Sequence, residues 1–214
     1  MKKFLVVLFS LFLLVGCGKK SDDVIKEFES KVNSLENYHL EGEMQITNNE
    51  DKYNYLVDVT YKKGTYYKVS LINKENKHEQ IILKNDEGVY VVTPSINKSF
   101  KFQSEWPSNS SQSYILESLL KDVLNDGERS VKNTNDKYTI ISKVNYPNNA
   151  NLVSEKIYLD KKSNLKKVEV LDKDGKVKIT VNYTSIDFKP TFKDDYFKLE
   201  SLIFTIQSKF IISY

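Results

Sequence analysis

The sequence has 214 residues, of which 40% are hydrophobic and 29% charged, and its 32 basic and 29 acidic side chains leave a net charge of +3. This composition is that of a folded protein rather than a disordered chain, and one cysteine with 7 glycines and 4 prolines excludes a disulfide framework and a collagen-like repeat. Lysines are interleaved with acids along the whole chain, so no basic face for nucleic acid is expected.

The N-terminus carries the most specific signal. Residues 1–16 combine a short basic start with a twelve-residue apolar run from Phe4 to Val15, which is too short to span a bilayer and predicts a signal peptide. Residues 14–17, Leu-Val-Gly-Cys, resemble the lipobox of bacterial lipoproteins. Cys17 is therefore the predicted lipidation site, residues 17–23 the tether, and the extracytoplasmic face of the cell membrane the predicted location. An ordinary secretory signal with a chance cysteine is the alternative.

Hydrophobic periodicity predicts two helices and about eleven strands. Apolar residues at three- and four-residue spacing predict one helix from Ser21 to about Asn37 and a second from Gln112 to Leu124. Alternation of apolar and polar residues predicts the strands, which are separated by turn residues. The predicted strands are 39–47, 53–61, 66–72, 79–83, 89–93, 99–103, 128–132, 138–146, 154–160, 166–171 and 177–188.

Sequential antiparallel strands of this kind predict a mainly β fold, a single antiparallel half-barrel over residues 24–200 with helices covering its open side. The sequence from 201 to 214 is apolar without a clean period, and either an edge strand or a helix against the sheet fits it. The exposed edges of such a sheet could pair with a second copy and form a homodimer.

The chain offers no constellation for catalysis. No nucleophile elbow, phosphate loop or dinucleotide fingerprint occurs, so no cofactor and no enzymatic activity are expected. Neither His39 nor His78 has a second imidazole or thiol nearby in sequence, and His39 falls on the polar side of its strand. No metal site is therefore predicted.

The apolar side of the predicted strands is the candidate binding surface. It is rich in aromatic residues, with 14 Tyr and 11 Phe in the chain. Two interpretations stay open: a core in which tyrosine hydroxyls reach the rim, or a concave groove for an acyl chain or an apolar partner segment. The predicted groove residues are Met44, Ile46, Tyr55, Val57, Val59, Val69, Val91, Ile179 and Val181.

The order of elements and several loose motifs resemble the LolA/LolB-type lipoprotein carriers. The segments that carry the resemblance are 61–69, 86–94 with Asn97-Lys98, the helix at 112–124, and Asp195-Tyr196-Phe197-Lys198-Leu199. The resemblance implies an open eleven-stranded half-barrel with an apolar cavity. Carriers commonly place a functional arginine on the third strand, where this chain has Lys68.

Two functions follow from the resemblance. The first is a membrane-anchored lipoprotein that holds a lipid or a lipoprotein acyl chain in its groove. The second is an interaction module that binds and activates a cell-wall or spore-cortex modifying enzyme, as implied by a similarity to spore-germination lipoproteins of clostridia. Both are non-catalytic.

Overall fold

The computed structural model describes residues 19–64, 66–102, 112–135, 137–146 and 149–212, with side chains to residue 208. Cys17 lies outside the described residues. In chain order the elements are α1 Ser21–Asn33, β1 Asn37–Asn48, β2 Asp51–Lys62, β3 Tyr66–Asn73, β4 Glu79–Asn85, β5 Gly88–Thr93, a 3-10 turn Pro94–Ile96, β6 Lys98–Phe102, α2 Leu116–Asn125, β7 Ser130–Thr134, β8 Lys137–Lys143, β9 Leu152–Leu159, β10 Leu165–Asp172, β11 Val177–Asp187 and α3 Leu199–Ile212.

The strands form one open antiparallel sheet in the order β6-β5-β4-β3-β2-β1-β11-β10-β9-β8-β7. Strands that are consecutive in sequence pair with each other, except for β6 and β7. Strand β1 pairs with both β2 and β11, and so joins the two halves of the chain. Strands β6 and β7 stand at the two edges. The predicted half-barrel of about eleven strands is confirmed.

Helices α1 and α2 cover one face of the sheet, which we call the inner face. Helix α1 buries Val24, Ile25, Phe28 and Val32, which recur at helical spacing, and it has acids in its first turn. It ends at Asn33, four residues before the predicted end. The apolar spacing continues to Leu35, which is buried although it lies beyond the helix.

The second predicted helix starts later than its pattern indicates. Helix α2 begins at Leu116 and buries Leu116, Leu119, Leu120 and Val123 against the sheet. Tyr114 and Ile115 precede it and are also buried. The buried residues just before α2 lengthened the apolar pattern beyond the helix itself. Leu35 had the same effect after the end of α1.

The C-terminal segment forms a third helix rather than an edge strand. Helix α3 lies against the opposite, outer face of the sheet, where Leu202 and Ile206 join Ile81, Leu83 and Val92 in a second hydrophobic cluster. Its period is obscured because exposed positions such as Phe204 are also apolar. Helix α3 has 14 residues, and no helix in the described ranges has the length and hydropathy to cross a membrane.

Candidate functional site

The predicted groove residues lie mainly in a closed hydrophobic core. Six of them, Met44, Val57, Val59, Val69, Ile179 and Val181, are only 0–3% exposed and belong to the cluster that α1 and α2 cover. The other three, Ile46, Tyr55 and Val91, are partly buried, and the first two contact that cluster. Side chains of the helices therefore fill the space along this part of the inner face.

A carboxylate on α2 fixes that helix to the sheet. The hydroxyls of Tyr38 and Tyr67 donate hydrogen bonds to Oε2 of Glu117, at 2.8 and 3.2 Å. Tyr61 stacks between the two tyrosine rings, with centroid distances of 4.9 and 5.0 Å. Burial raises the pKa of Glu117 despite these hydrogen bonds. Closure of the inner face thus depends on polar contacts as well as on apolar ones.

Lys68, at the position where the LolA/LolB-type carriers commonly have an arginine, faces away from this core. Lys68 pairs with Thr60 and Leu83 across the sheet and shares their outer face. Its Nζ lies 4.4 Å from the ring centroid of Tyr196, within the distance for a cation–π contact. The Tyr196 hydroxyl in turn lies 3.2 Å from Oγ1 of Thr60. Lys68 therefore helps to hold the segment before α3 against the sheet.

A cleft of about 630 Å³ opens beside α2, near the inner face. It lies between α2, the end of β8 and the segment before α2. Its surface combines apolar area, to which Leu119, Val144 and Tyr146 contribute, with charged and amide side chains. Polar residues of the lining include Gln112, Ser113, Asp122, Asn125 and Lys143. Charged groups such as Asp122 and Lys143 disfavour a wholly apolar acyl chain in this cleft.

A buried acid lies under α2 near this cleft. Glu155 on β9 is fully buried, and Ser142 Oγ donates a hydrogen bond of 3.0 Å to its Oε1. Within the described part of the chain its Oε2 has no hydrogen-bond partner. Burial, with a smaller contribution from the charge of Asp122, raises the pKa of Glu155 well above its ordinary value. Burial also raises the pKa of Asp122 to about 6, so Asp122 takes up a proton in mildly acidic solution.

Strand β6 is the exposed edge of the sheet. All five of its residues are exposed, and Phe100 and Phe102 keep 57% and 44% of their surface in contact with solvent. Among the described strands it pairs only with β5. The edge of β6 that faces away from β5 therefore presents unpaired backbone groups beside two aromatic side chains.

Neither the buried Glu155 nor the half-buried Asp122 was predicted from the sequence. Glu155 alternates with Ile157 and Leu159, which are buried on the inner face, so its position within the period-two pattern places it inward. The alternation therefore indicates a buried Glu155, although carboxylates generally occupy solvated positions. Asp122 carried no comparable signal, because its burial depends on how α2 docks.

Comparison with known proteins identifies relatives of this architecture. The family model of sporulation protein YdcC-like proteins matches residues 1–197. Sporulation protein YdcC of Bacillus subtilis (strain 168) is 37% identical over 192 residues, which is 89% of this chain and 57% of the relative. The chain therefore spans little more than half the length of that relative.

Two solved structures show similar folds. The structure of the CwlD amidase from Clostridioides difficile in complex with the GerS lipoprotein contains a match with 22% identity and a TM-score of 0.46, covering 80% of this chain and 97% of the matched one. A domain from Vibrio parahaemolyticus named for outer membrane lipoprotein sorting matches with 12% identity and a TM-score of 0.47, over 86% of this chain and 98% of that one.

Proposed function

Because this chain belongs to the sporulation protein YdcC-like family, we propose that it is a non-catalytic, lipid-anchored module that binds a protein partner in the sporulation envelope. The observation that carries the proposal is the contrast between the two parts of the sheet. The inner face is closed by α1 and α2, whereas the whole of β6 is exposed. A filled interior leaves little room for a ligand inside the fold, whereas an open strand edge can pair with an extended segment of another chain.

The alternative of a lipid or acyl-chain carrier needs an apolar cavity. The residues that would line it, such as Val59, Val69 and Val181, are completely buried by other side chains. The cleft beside α2 has the size of a ligand site, but its lining includes charged side chains such as Asp122 and Lys143. An acyl chain there would take these charged groups out of water, which costs free energy unless they are paired. The interaction module is therefore favoured.

The chemistry of β6 indicates what kind of partner fits. An extended segment could pair with the free edge, and apolar side chains on it could cover Phe100 and Phe102. Lys98 and Lys101 lie on the same edge strand, Lys98 on the side of the two rings and Lys101 on the opposite side, so acidic side chains in the partner would add attraction, and two β6 edges would repel each other. A different protein is thus favoured over the homodimer. The curated relative is a sporulation protein, which supports a partner that acts in sporulation, and we propose a peptidoglycan-modifying enzyme as that partner.

Cys17 supplies the proposed anchor. Its acyl chains would hold the chain on the extracytoplasmic face of the membrane, where a wall-modifying partner acts, and would reduce the search for that partner to two dimensions. Each buried CH₂ contributes about 0.8 kcal/mol, so two acyl chains give a stable attachment.

Site-specific photo-crosslinking tests the proposal. A photoreactive amino acid replaces Phe100 in the full chain, which is expressed in sporulating cells, and a matched variant carries it at Leu56, which is 42% exposed on the outer face. We expect the variant at position 100, and not the variant at position 56, to crosslink to a peptidoglycan amidase or hydrolase. Equal crosslinking at both positions would overturn the assignment to β6. Stoichiometric lipid retained by the purified protein in native mass spectrometry would instead support the carrier.

A further inference from the structure

The outer face of the sheet carries a cluster that the proposed function does not use. His39 and Glu41 alternate along β1 and therefore project from the same face. Asp58 on β2 is the direct cross-strand partner of Glu41, so it shares that face. One ligand atom from each of the three side chains lies within 4.8 Å of the others, and Nε2 of His39 is 3.0 Å from Oδ2 of Asp58.

We propose that His39, Glu41 and Asp58 form a three-ligand binding site for a Zn²⁺ ion on the outer face of the sheet. The site is distinct from the β6 edge and adds a metal-binding function to the proposed module. It rests on the positions of the three side chains, which two long, fully paired strands hold in register over twelve residues each.

The separations match the coordination geometry of zinc after a small movement. Tetrahedral zinc with bonds of about 2.0–2.2 Å places neighbouring ligand atoms about 3.3–3.5 Å apart. The His39–Asp58 separation of 3.0 Å is already close to that value. Glu41 is exposed, so its side chain can change rotamer to bring an oxygen closer by the remaining distance, which is at most about 1.5 Å for such bond lengths. The backbone does not need to move.

The donor set selects the class of ion. One imidazole nitrogen with two carboxylate oxygens suits a borderline cation such as Zn²⁺. Ca²⁺ and Mg²⁺ prefer sites made entirely of oxygen ligands, and the imidazole at the centre of this cluster disfavours them. The two carboxylates also balance the charge of a divalent ion. Without the ion, two negative charges lie close together on the same face and repel each other.

A cleft of about 360 Å³ lies beside the cluster and gives the ion an open coordination position. Glu41 and Asp58 line it together with Ser70 and Thr184. Thr184 lies at the irregularity in the β1–β11 pairing, where the register shifts between Glu41 and Gly42, and such bulges re-aim side chains next to functional sites. The fourth ligand is therefore a water molecule or a group supplied from outside the chain.

Zinc titration of the chelator-treated protein tests the site. Isothermal titration calorimetry with ZnCl₂ should show one saturable site, and His39→Ala should weaken it by about 100-fold or more, since even partners outside the coordination sphere contribute 10–100-fold. His78→Ala is the matched control because His78 is the other histidine of the chain. It lies near Ser95, and its removal should leave zinc affinity unchanged.

Conservative substitutions keep the test independent of folding. Asp58→Asn and Glu41→Gln preserve side-chain size at a half-buried and an exposed position, and each should weaken zinc binding while circular dichroism of the metal-free protein stays the same. Co²⁺ replacing Zn²⁺ should give a visible spectrum that is lost in His39→Ala. The proposal is overturned if the wild-type protein shows no saturable zinc binding, or if His39→Ala binds as tightly as wild type or His78→Ala.

Discussion

Replacement of Glu155 by glutamine should make the protein less sensitive to pH. Glu155 is fully buried, and its raised pKa means that the folded state keeps the proton. Glutamine has nearly the same size and can still accept the hydrogen bond from Ser142, but it does not titrate. The substitution therefore removes the titration of this side chain and leaves its contacts almost unchanged.

The sign and size of the effect follow from proton linkage. Above the ordinary carboxyl pKa of 4.5 the unfolded state has released the proton that folded Glu155 still holds. The free energy of unfolding must therefore fall as pH rises, by about 1.4 kcal/mol per pH unit for one proton. The contribution of Glu155 to the free energy of unfolding is greatest below pH 4.5. It decreases as pH rises towards the pKa of Glu155 in the folded state. Asp122 adds a loss of the same sign between its ordinary value of 3.8 and about 6.

Urea unfolding of wild type and Glu155→Gln, followed by circular dichroism between pH 5 and pH 7, measures the effect. Above pH 6 the contribution of Asp122 fades, so the difference between the two slopes isolates Glu155. The variant should be more stable than wild type at pH 7, with a shallower slope. Glu50→Gln, in the exposed turn between β1 and β2, is the control and should run parallel to wild type. Parallel lines for Glu155→Gln and wild type would refute the reasoning.

Four further substitutions test other parts of the structure. Gly42→Ala would place Cβ 2.6 Å from the backbone oxygen of Asn182, and urea unfolding should show a loss of about 1–3 kcal/mol from the forced shift. Val57→Asp should cost about 3–5 kcal/mol in the same assay by burying an unpaired charge; a loss below 1 kcal/mol would contradict its placement in the core. Glu117→Ala removes the hydrogen bonds that the hydroxyls of Tyr38 and Tyr67 donate to this carboxylate, which should lower the melting temperature and cost about 1–3 kcal/mol. Cys17→Ala should leave the precursor unprocessed or move the protein from the membrane to the soluble fraction, and unchanged fractionation would exclude the lipid anchor.

Local pattern was sufficient for most of the secondary structure. A strand with one buried face alternates with a period of two whatever its neighbours are, so the strands from β1 to β11 could be located from their own residues. The turns between them carry residues that favour reversals. Errors occurred at the ends of elements, as at Leu116, where apolar residues are buried without belonging to the helix.

The sequence by itself determined the eleven strands, the inward direction of residues such as Val57 and Val181, and the outward direction of His39, because each depends on neighbours two to four positions away. Only the tertiary structure decided that the helices fill the inner face, that α3 lies on the outer face, and that Asp58 stands beside His39. These outcomes depend on which strands pair and at what register, and pairing joins residues far apart in the chain. Alternation shows which side of a strand is buried, but the docking of helices from distant segments decides whether that side becomes an open groove or a closed core.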